Sequence, residues 1–220
     1  MPLLISEDAV ARGLLYATLV GALVTESVAT YLGQKRSENG RGGLGAFAES
    51  VLATVFGRSS GGESADRGTK RLVIWSAAIG LAAGLLIAIH LPSLRFGANT
   101  WATFALAIVL AWLGIALRVW AVWSLGRFFQ REVMIQAGHV VWRGGPYRWL
   151  RHPAYAGSLL TYFAFGLASG SWVSAFVVAA ILSLAFVRRI HVEEAELSRA
   201  LGEPYHEYVR DTARLVPGVW

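Results

Sequence analysis

The stretch YAGSLLTYFAFGLASGSWVSAFVVAAILSLAFV, from Tyr155 to Val187, runs 33 residues without one charged side chain and is punctuated only at Ser169, Gly170 and Ser171. A helix needs about 20 apolar residues to cross a hydrocarbon layer. This run is too long for one crossing and is interrupted where small, turn-forming residues stand together. It reads as two helices in a tight hairpin. The first arm has only about 15 residues, so it must thin the bilayer locally or sit low beside protein.

Working outward, three more apolar stretches are long enough to span: Gly13 to Leu32, Leu72 to Leu91 and Trp101 to Trp123. With 55% hydrophobic and 15% charged residues, the chain is too apolar to face water with most of its surface. The expected fold is therefore an all-α integral membrane protein of about five transmembrane helices. Met1 to Arg12 carries Glu7 and Asp8 rather than a basic leader, so the first stretch reads as a retained helix and not a signal peptide.

The net charge of +6 raises nucleic acid as a partner, but the basic residues follow topology instead of forming one face. Seven Lys and Arg lie between Lys35 and Arg71, five between Arg127 and Arg151, and five between Arg188 and Arg214. Only Arg12 and Arg95 fall on the other side, and Arg118 lies within the third span. Five spans with the N-terminus outside and the C-terminus cytoplasmic satisfy the positive-inside rule.

This divides the chain into 1–126, three N-terminal spans with a cytoplasmic 33–71 insert, and 127–220, a cofactor-binding region with the hairpin and C-terminal helices. In the insert, Phe47, Val51, Val55 and Phe56 recur at helical spacing, which fits a short surface helix as well as a poorly ordered glycine-rich loop. Cysteine is absent, which excludes disulfides, thiolate metal sites and thiol nucleophiles. The five histidines lack spaced carboxylate partners, so no metal is expected. The Gly-rich run near Gly42 follows no strand, and a dinucleotide fold is unsupported.

Two polar segments flank the hairpin on the same expected side and can enclose a cytoplasmic pocket at the membrane boundary. The first contains Gly144-Gly145-Pro146-Tyr147-Arg148-Trp149-Leu150-Arg151-His152-Pro153-Ala154-Tyr155-Ala156-Gly157. Gly145-Pro146 demands a turn, and Pro153 suits the first position of a helix, where its missing N–H has no partner to lose. His152 then stands near the N-cap, where free N–H groups favour an anion and Arg151 or His152 can add hydrogen bonds. Tyr147, Trp149 and Tyr155 offer ring faces to an adenine or a sulfonium cation. The same residues also suit plain interfacial anchoring.

The second constellation is Arg188-Arg189-Ile190-His191-Val192-Glu193-Glu194, at the end of the fifth span, and the last thirty or so residues after that span read as a soluble stretch. Arg189 and Glu193 share a helical face at i,i+4, which fits a surface ion pair. It fits equally a pocket in which Glu193 takes a ligand ammonium and Arg189 an anionic substrate.

With these motifs the chain resembles the isoprenylcysteine carboxyl methyltransferase family over roughly Arg127 to Trp220. The resemblance rests on His139-Val140-Val141-Trp142, Gly145-Pro146-Tyr147-Arg148, Arg151-His152-Pro153-Ala154-Tyr155-Ala156-Gly157, and Glu193-Glu194 leading through Leu197, Gly202-Glu203, Tyr205 and Tyr208 to Arg214-Leu215-Val216-Pro217. It implies that His139, Val140, Val141, Trp142, Tyr147, His152, Pro153, Ala154, Tyr155 and Glu193 surround S-adenosylmethionine. It also implies that Arg189 faces the substrate, a lipid-like or prenylated methyl acceptor. A family glutamine has no assigned counterpart near Glu132, Gln130 and Gln136.

Methyl transfer needs the nucleophile in line at near-attack distance with water kept out. A carboxylate acceptor is ionised at neutral pH and needs no general base; an amine calls for one, such as Glu193, Glu194 or His191. Phospholipid amines and small thiols remain alternative acceptors. A sterol-type membrane reductase using NADPH is the rival enzyme, and a transporter or scaffold built around Glu26 and Arg118 is the non-enzymatic reading.

Overall fold

The computed structural model describes residues 10, 13–22, 24, 68–94, 100–125, 140–218 and 220. Six helices organise them: α1 (Gly13–Ala22), α2 (Thr69–His90), α3 (Thr100–Leu125), α4 (Pro153–Ala168), α5 (Trp172–Leu201) and α6 (Glu203–Asp211). Of these, α2, α3 and α5 are long and apolar enough to cross a membrane. Trp75, Ile79, Leu113, Trp123, Phe176 and Leu184 on them face outward and are exposed, as lipid-facing side chains are. The protein is an integral membrane protein. The remainder of the expected first span and the insert through residue 67 lie outside the described residues, as does Glu26.

The hairpin forms where the sequence breaks. Pro153 opens α4 at its first position, and α4 gives way at Ser169 and Gly170, the latter at φ 89, which glycine adopts without strain. Ser171 then caps α5, its hydroxyl accepting from the Ser174 N–H at 3.4 Å. The 16 residues of α4 rise only about 24 Å, short of a full hydrocarbon thickness. This helix is correspondingly enclosed by protein, with Thr161, Ala164, Leu167 and Ala168 buried.

The packing order is α3 against α4, α4 against α5, and α5 against α2. Glycines set the close approaches. A Cβ on Gly157 of α4 would stand 2.6 Å from the Gly114 carbonyl and 2.8 Å from the Arg118 nitrogen of α3. On the other side, Gly84 of α2 lies against Val178 and gives its carbonyl to the Ser174 hydroxyl of α5 at 2.8 Å. Arg118 is a structural polar contact: its guanidinium donates to the Ala154 carbonyl at 3.1 Å and to the Ser158 hydroxyl at 3.0 Å. It thereby pins α3 to the start of α4.

One boundary differs from the sequence reading. The last thirty or so residues read from the sequence as a separate soluble stretch, but about ten of them belong to α5, which continues unbroken to Leu201. Arg189, Glu193 and Glu194 therefore stand on a rigid extension of a membrane-crossing helix, and the helix ends only at Gly202, φ 59.

The close approach at Gly157 leads to a direct expectation. Gly157→Ala should lower stability by about 1–3 kcal/mol, because the backbones on both sides must give way. Gly13→Ala, which meets nothing within 4 Å, should leave the melting temperature unchanged or slightly raised. Thermal melts in detergent compare the two.

Candidate active site

The site assembles where the Arg-His-Pro-x-Tyr segment, the extension of α5 and the C-terminal tail meet. Gly145, at φ 57, opens the 3-10 turn Gly145–Arg148, whose closing bonds leave Leu150 paired with Ala213 as a parallel bridge. The Arg151 N–H donates to the Ala213 carbonyl at 2.8 Å and the His152 N–H to that of Arg214 at 3.1 Å. The Tyr208 hydroxyl of α6 reinforces this contact, donating to the Tyr147 carbonyl at 2.7 Å. The tail is thus tied across the start of α4.

Glu194 is the hub of the charged residues. Its Oε1 accepts from Arg151 Nε at 2.8 Å and lies 3.3 Å from His152 Nε2, while Oε2 accepts from Arg214 Nε at 3.0 Å. The Glu194 side chain is only 12% exposed and that of Arg151 8%. Arg151 also donates to the carbonyls of Val209 and Thr212, so its guanidinium joins α5, α6 and the tail. Arg151 and His152 were expected to aid an anion at the start of α4. Both turn to Glu194 instead, and the His152 carbonyl takes the N–H groups of Tyr155 and Ala156.

A second chain of contacts runs beside the hub. Tyr155 donates its hydroxyl hydrogen to Glu193 Oε2 at 2.6 Å and accepts from Arg189 Nε at 2.8 Å. Arg189 and Glu193 are thus linked through a phenol from the neighbouring helix, a contact that i,i+4 spacing alone does not reveal. His152 Nδ1 stands 4.0 Å from Glu193 Oε2. The His152 ring stacks on Tyr155 with centroids 5.4 Å apart, and Tyr155 stacks on Phe186 at 5.0 Å. Arg189 is buried, whereas the Glu193 side chain keeps 30% exposure. The carboxylate is the more accessible end of this chain.

The structure brings together His152, Tyr155, Arg189 and Glu193 of the residues named from sequence. Pro153 and Ala154 are buried beneath them, and Tyr147 packs with Ala154 and Ala121. Burial pushes the Tyr147 phenol well above the ordinary tyrosine range, with Glu193 adding to the shift, so it remains a neutral donor. Val140, Val141 and Trp142 form irregular backbone leading to Gly144, with Val140 and Trp142 exposed. His139 lies outside the described residues. Glu194 and Arg214 carry weight that the sequence alone does not reveal, because the carboxylate and the cation lie 20 residues apart and only folding joins them.

Residues 105–199 match the model of the isoprenylcysteine carboxyl methyltransferase (ICMT) family. This stretch is similar to that family. The protein-S-isoprenylcysteine O-methyltransferase of Schizosaccharomyces pombe is 27% identical over 107 residues, 42% of this chain and 45% of the relative. Protein-S-isoprenylcysteine O-methyltransferase A of Arabidopsis thaliana is 30% identical over 121 residues, 54% of this chain and 61% of the relative. The chain therefore spans about half to three fifths of the length of these relatives. A solved structure of the eukaryotic intramembrane Ras methyltransferase ICMT shares the fold, with a TM-score of 0.56 at 19% identity over 80% of this chain and 63% of that one. The ICMT-matched stretch holds Arg118, His152, Tyr155, Arg189, Glu193 and Glu194, while Tyr208, Arg214 and the tail that closes the site lie beyond it.

The hub carries a stability expectation. Glu194→Gln leaves Arg151 and Arg214 facing a neutral amide in a largely buried place and should cost about 2–4 kcal/mol. Glu196→Gln, which breaks only the exposed pair with Arg199, should cost no more than about 0.5 kcal/mol. Chemical denaturation in detergent distinguishes them; equal effects contradict the hub.

Proposed function

We propose that the chain is an S-adenosylmethionine-dependent membrane methyltransferase that methylates the carboxylate of a lipid-like, prenylcysteine-type acceptor. The observation that carries this reading is the buried Arg189 joined through the Tyr155 hydroxyl to the half-exposed Glu193. One guanidinium and one carboxylate are thereby held one turn apart on α5 by a phenol from α4, able to receive groups of opposite charge. The family that residues 105–199 match and the names of the relatives favour the same chemistry.

The residues present fit the cofactor. Glu193 retains accessible acceptor capacity for an ammonium group, Tyr147 lies close enough to feel its charge, and the exposed Trp142 offers a ring face to an adenine. His139, Val140, Val141, His152, Pro153, Ala154 and Tyr155 complete the proposed set. When bound, S-adenosylmethionine supplies an electrophilic methyl group.

The remaining work falls to this chain's own residues. Arg189 offers forked donors that match a carboxylate and partly neutralise it while leaving it ionised. No proton has to be removed, which suits a site where Glu193 already accepts a hydrogen bond and Glu194 is paired to cations. Tyr155 holds the Arg189 side chain, and the stack of His152, Tyr155 and Phe186 fills the space behind it against water. We further propose five spans, with the N-terminus outside and the site on the cytoplasmic side, so that a lipidic acceptor enters laterally past α3 while the water-soluble cofactor enters from the cytoplasm.

Calorimetry on the detergent-purified protein tests the cofactor site. Wild type should bind S-adenosylmethionine in the micromolar range, with Glu193→Ala weaker by roughly tenfold or more, the scale of one lost charge-assisted hydrogen bond, and His152→Ala weaker through loss of the stack that supports Tyr155. A folded wild type that binds NADPH and not S-adenosylmethionine would overturn the proposal in favour of a reductase.

A further inference from the structure

Thr69 is the first residue of α2, far in sequence from the motifs that carry the site, and lies outside the family-matched stretch of 105–199. Its side chain is nonetheless buried, at 1% exposure, and its hydroxyl accepts from Arg189 Nη1 at 3.2 Å. Arg189 is thus held on two edges: Nε by the Tyr155 hydroxyl of α4, and Nη1 by Thr69 of α2. Two bonds at different nitrogens of a planar group fix both the position and the tilt of the plane, which one bond cannot do.

The α2–α5 packing shows how Thr69 arrives there. The two helices are antiparallel, and at their far end the Ser174 hydroxyl donates to the Gly84 carbonyl. Thr69 to Gly84 and Ser174 to Arg189 are the same fifteen steps along their helices, about 22 Å in each case. Between these ends, Gly80 lies against Val178, and Val73, Ala77, Leu182 and Phe186 share one apolar cluster. The register is therefore closed by a polar bond at each end, and a slip by one residue would carry Thr69 about 100° around the helix and away from Arg189.

From this we infer that Thr69 is a positioning residue for the acceptor: it fixes the plane and direction in which the Arg189 guanidinium meets the acceptor carboxylate. The inference rests on the reading of Arg189 as the acceptor-facing cation. Its consequence is that α2, from the N-terminal half, takes part in acceptor recognition, while cofactor binding depends on Glu193 and the α4 segment.

The test uses the full chain in detergent, with Thr69→Val and Thr69→Ser. The first readout is independent of function: the guanidinium nitrogen resonance of Arg189, assigned by its loss in Arg189→Lys. It should be sharp and slow to exchange in wild type and Thr69→Ser, and exchange-broadened in Thr69→Val. An unchanged resonance in Thr69→Val overturns the inference.

The second readout is calorimetric binding of N-acetyl-S-farnesylcysteine and of its uncharged carboxamide. Thr69→Val should weaken the carboxylate roughly tenfold while leaving the amide and S-adenosylmethionine within about twofold, and Thr69→Ser should restore carboxylate binding. Equal loss for acid, amide and cofactor would reveal a general folding defect and overturn a positioning role. A resonance that responds as expected in a wild type that binds neither acid nor cofactor would keep Thr69 as the partner that holds Arg189 and refute the function proposed for the site.

Discussion

A helix that leaves the apolar layer carrying Arg189, Glu193 and Glu194 has to find partners for those charges, because the cost of desolvating a charge exceeds anything packing alone returns. Glu194 finds Arg151, His152 and Arg214, and Glu193 finds Tyr155. These contacts draw three separate pieces of chain onto α5: the segment before α4, the start of α4 itself, and the C-terminal tail. They reinforce the Leu150–Ala213 bridge and the Tyr208 bond to Tyr147, which join the same pieces.

The two carboxylates divide the labour. Glu194 is surrounded by cationic and polar donors and serves cohesion. Glu193, one residue earlier, points about 100° around the helix, keeps more exposure and is linked to Arg189 by the Tyr155 hydroxyl. Adjacent residues of one type thereby occupy different environments, one closed and one able to receive a ligand. The short α4 makes this geometry feasible: with 16 residues buried between α3 and α5, it brings Tyr155 to the level where α5 leaves the apolar layer.

Much of the fold was legible in the sequence because membrane helices obey a one-dimensional rule. Long apolar runs mark α2, α3 and α5, and Ser169-Gly170-Ser171 and Pro153 mark the hairpin's turn and start. The continuation of α5 past Val187 was less legible, since the switch from apolar to charged residues looks like an element boundary although helical propensity runs on through Glu193, Glu194, Ala195, Glu196 and Leu197. In the site, His152, Tyr155, Arg189 and Glu193 were identifiable from local motifs and the family resemblance. The Tyr155 link between Arg189 and Glu193, the Arg214 arm of the hub and the approach of Thr69 were not, because each joins residues from different elements whose register only packing determines.

The central claim is that this polar chain serves methylation of a carboxylate. Incubating the detergent-purified protein with methyl-labelled S-adenosylmethionine and N-acetyl-S-farnesylcysteine, then treating the product with base, addresses it directly, since methyl esters hydrolyse to volatile methanol whereas methylated amines and thioethers do not. The account expects label transferred by the wild type and released as methanol, with transfer abolished in Arg189→Ala. Label that stays bound through base treatment, or no transfer by a protein that binds both ligands, would contradict it.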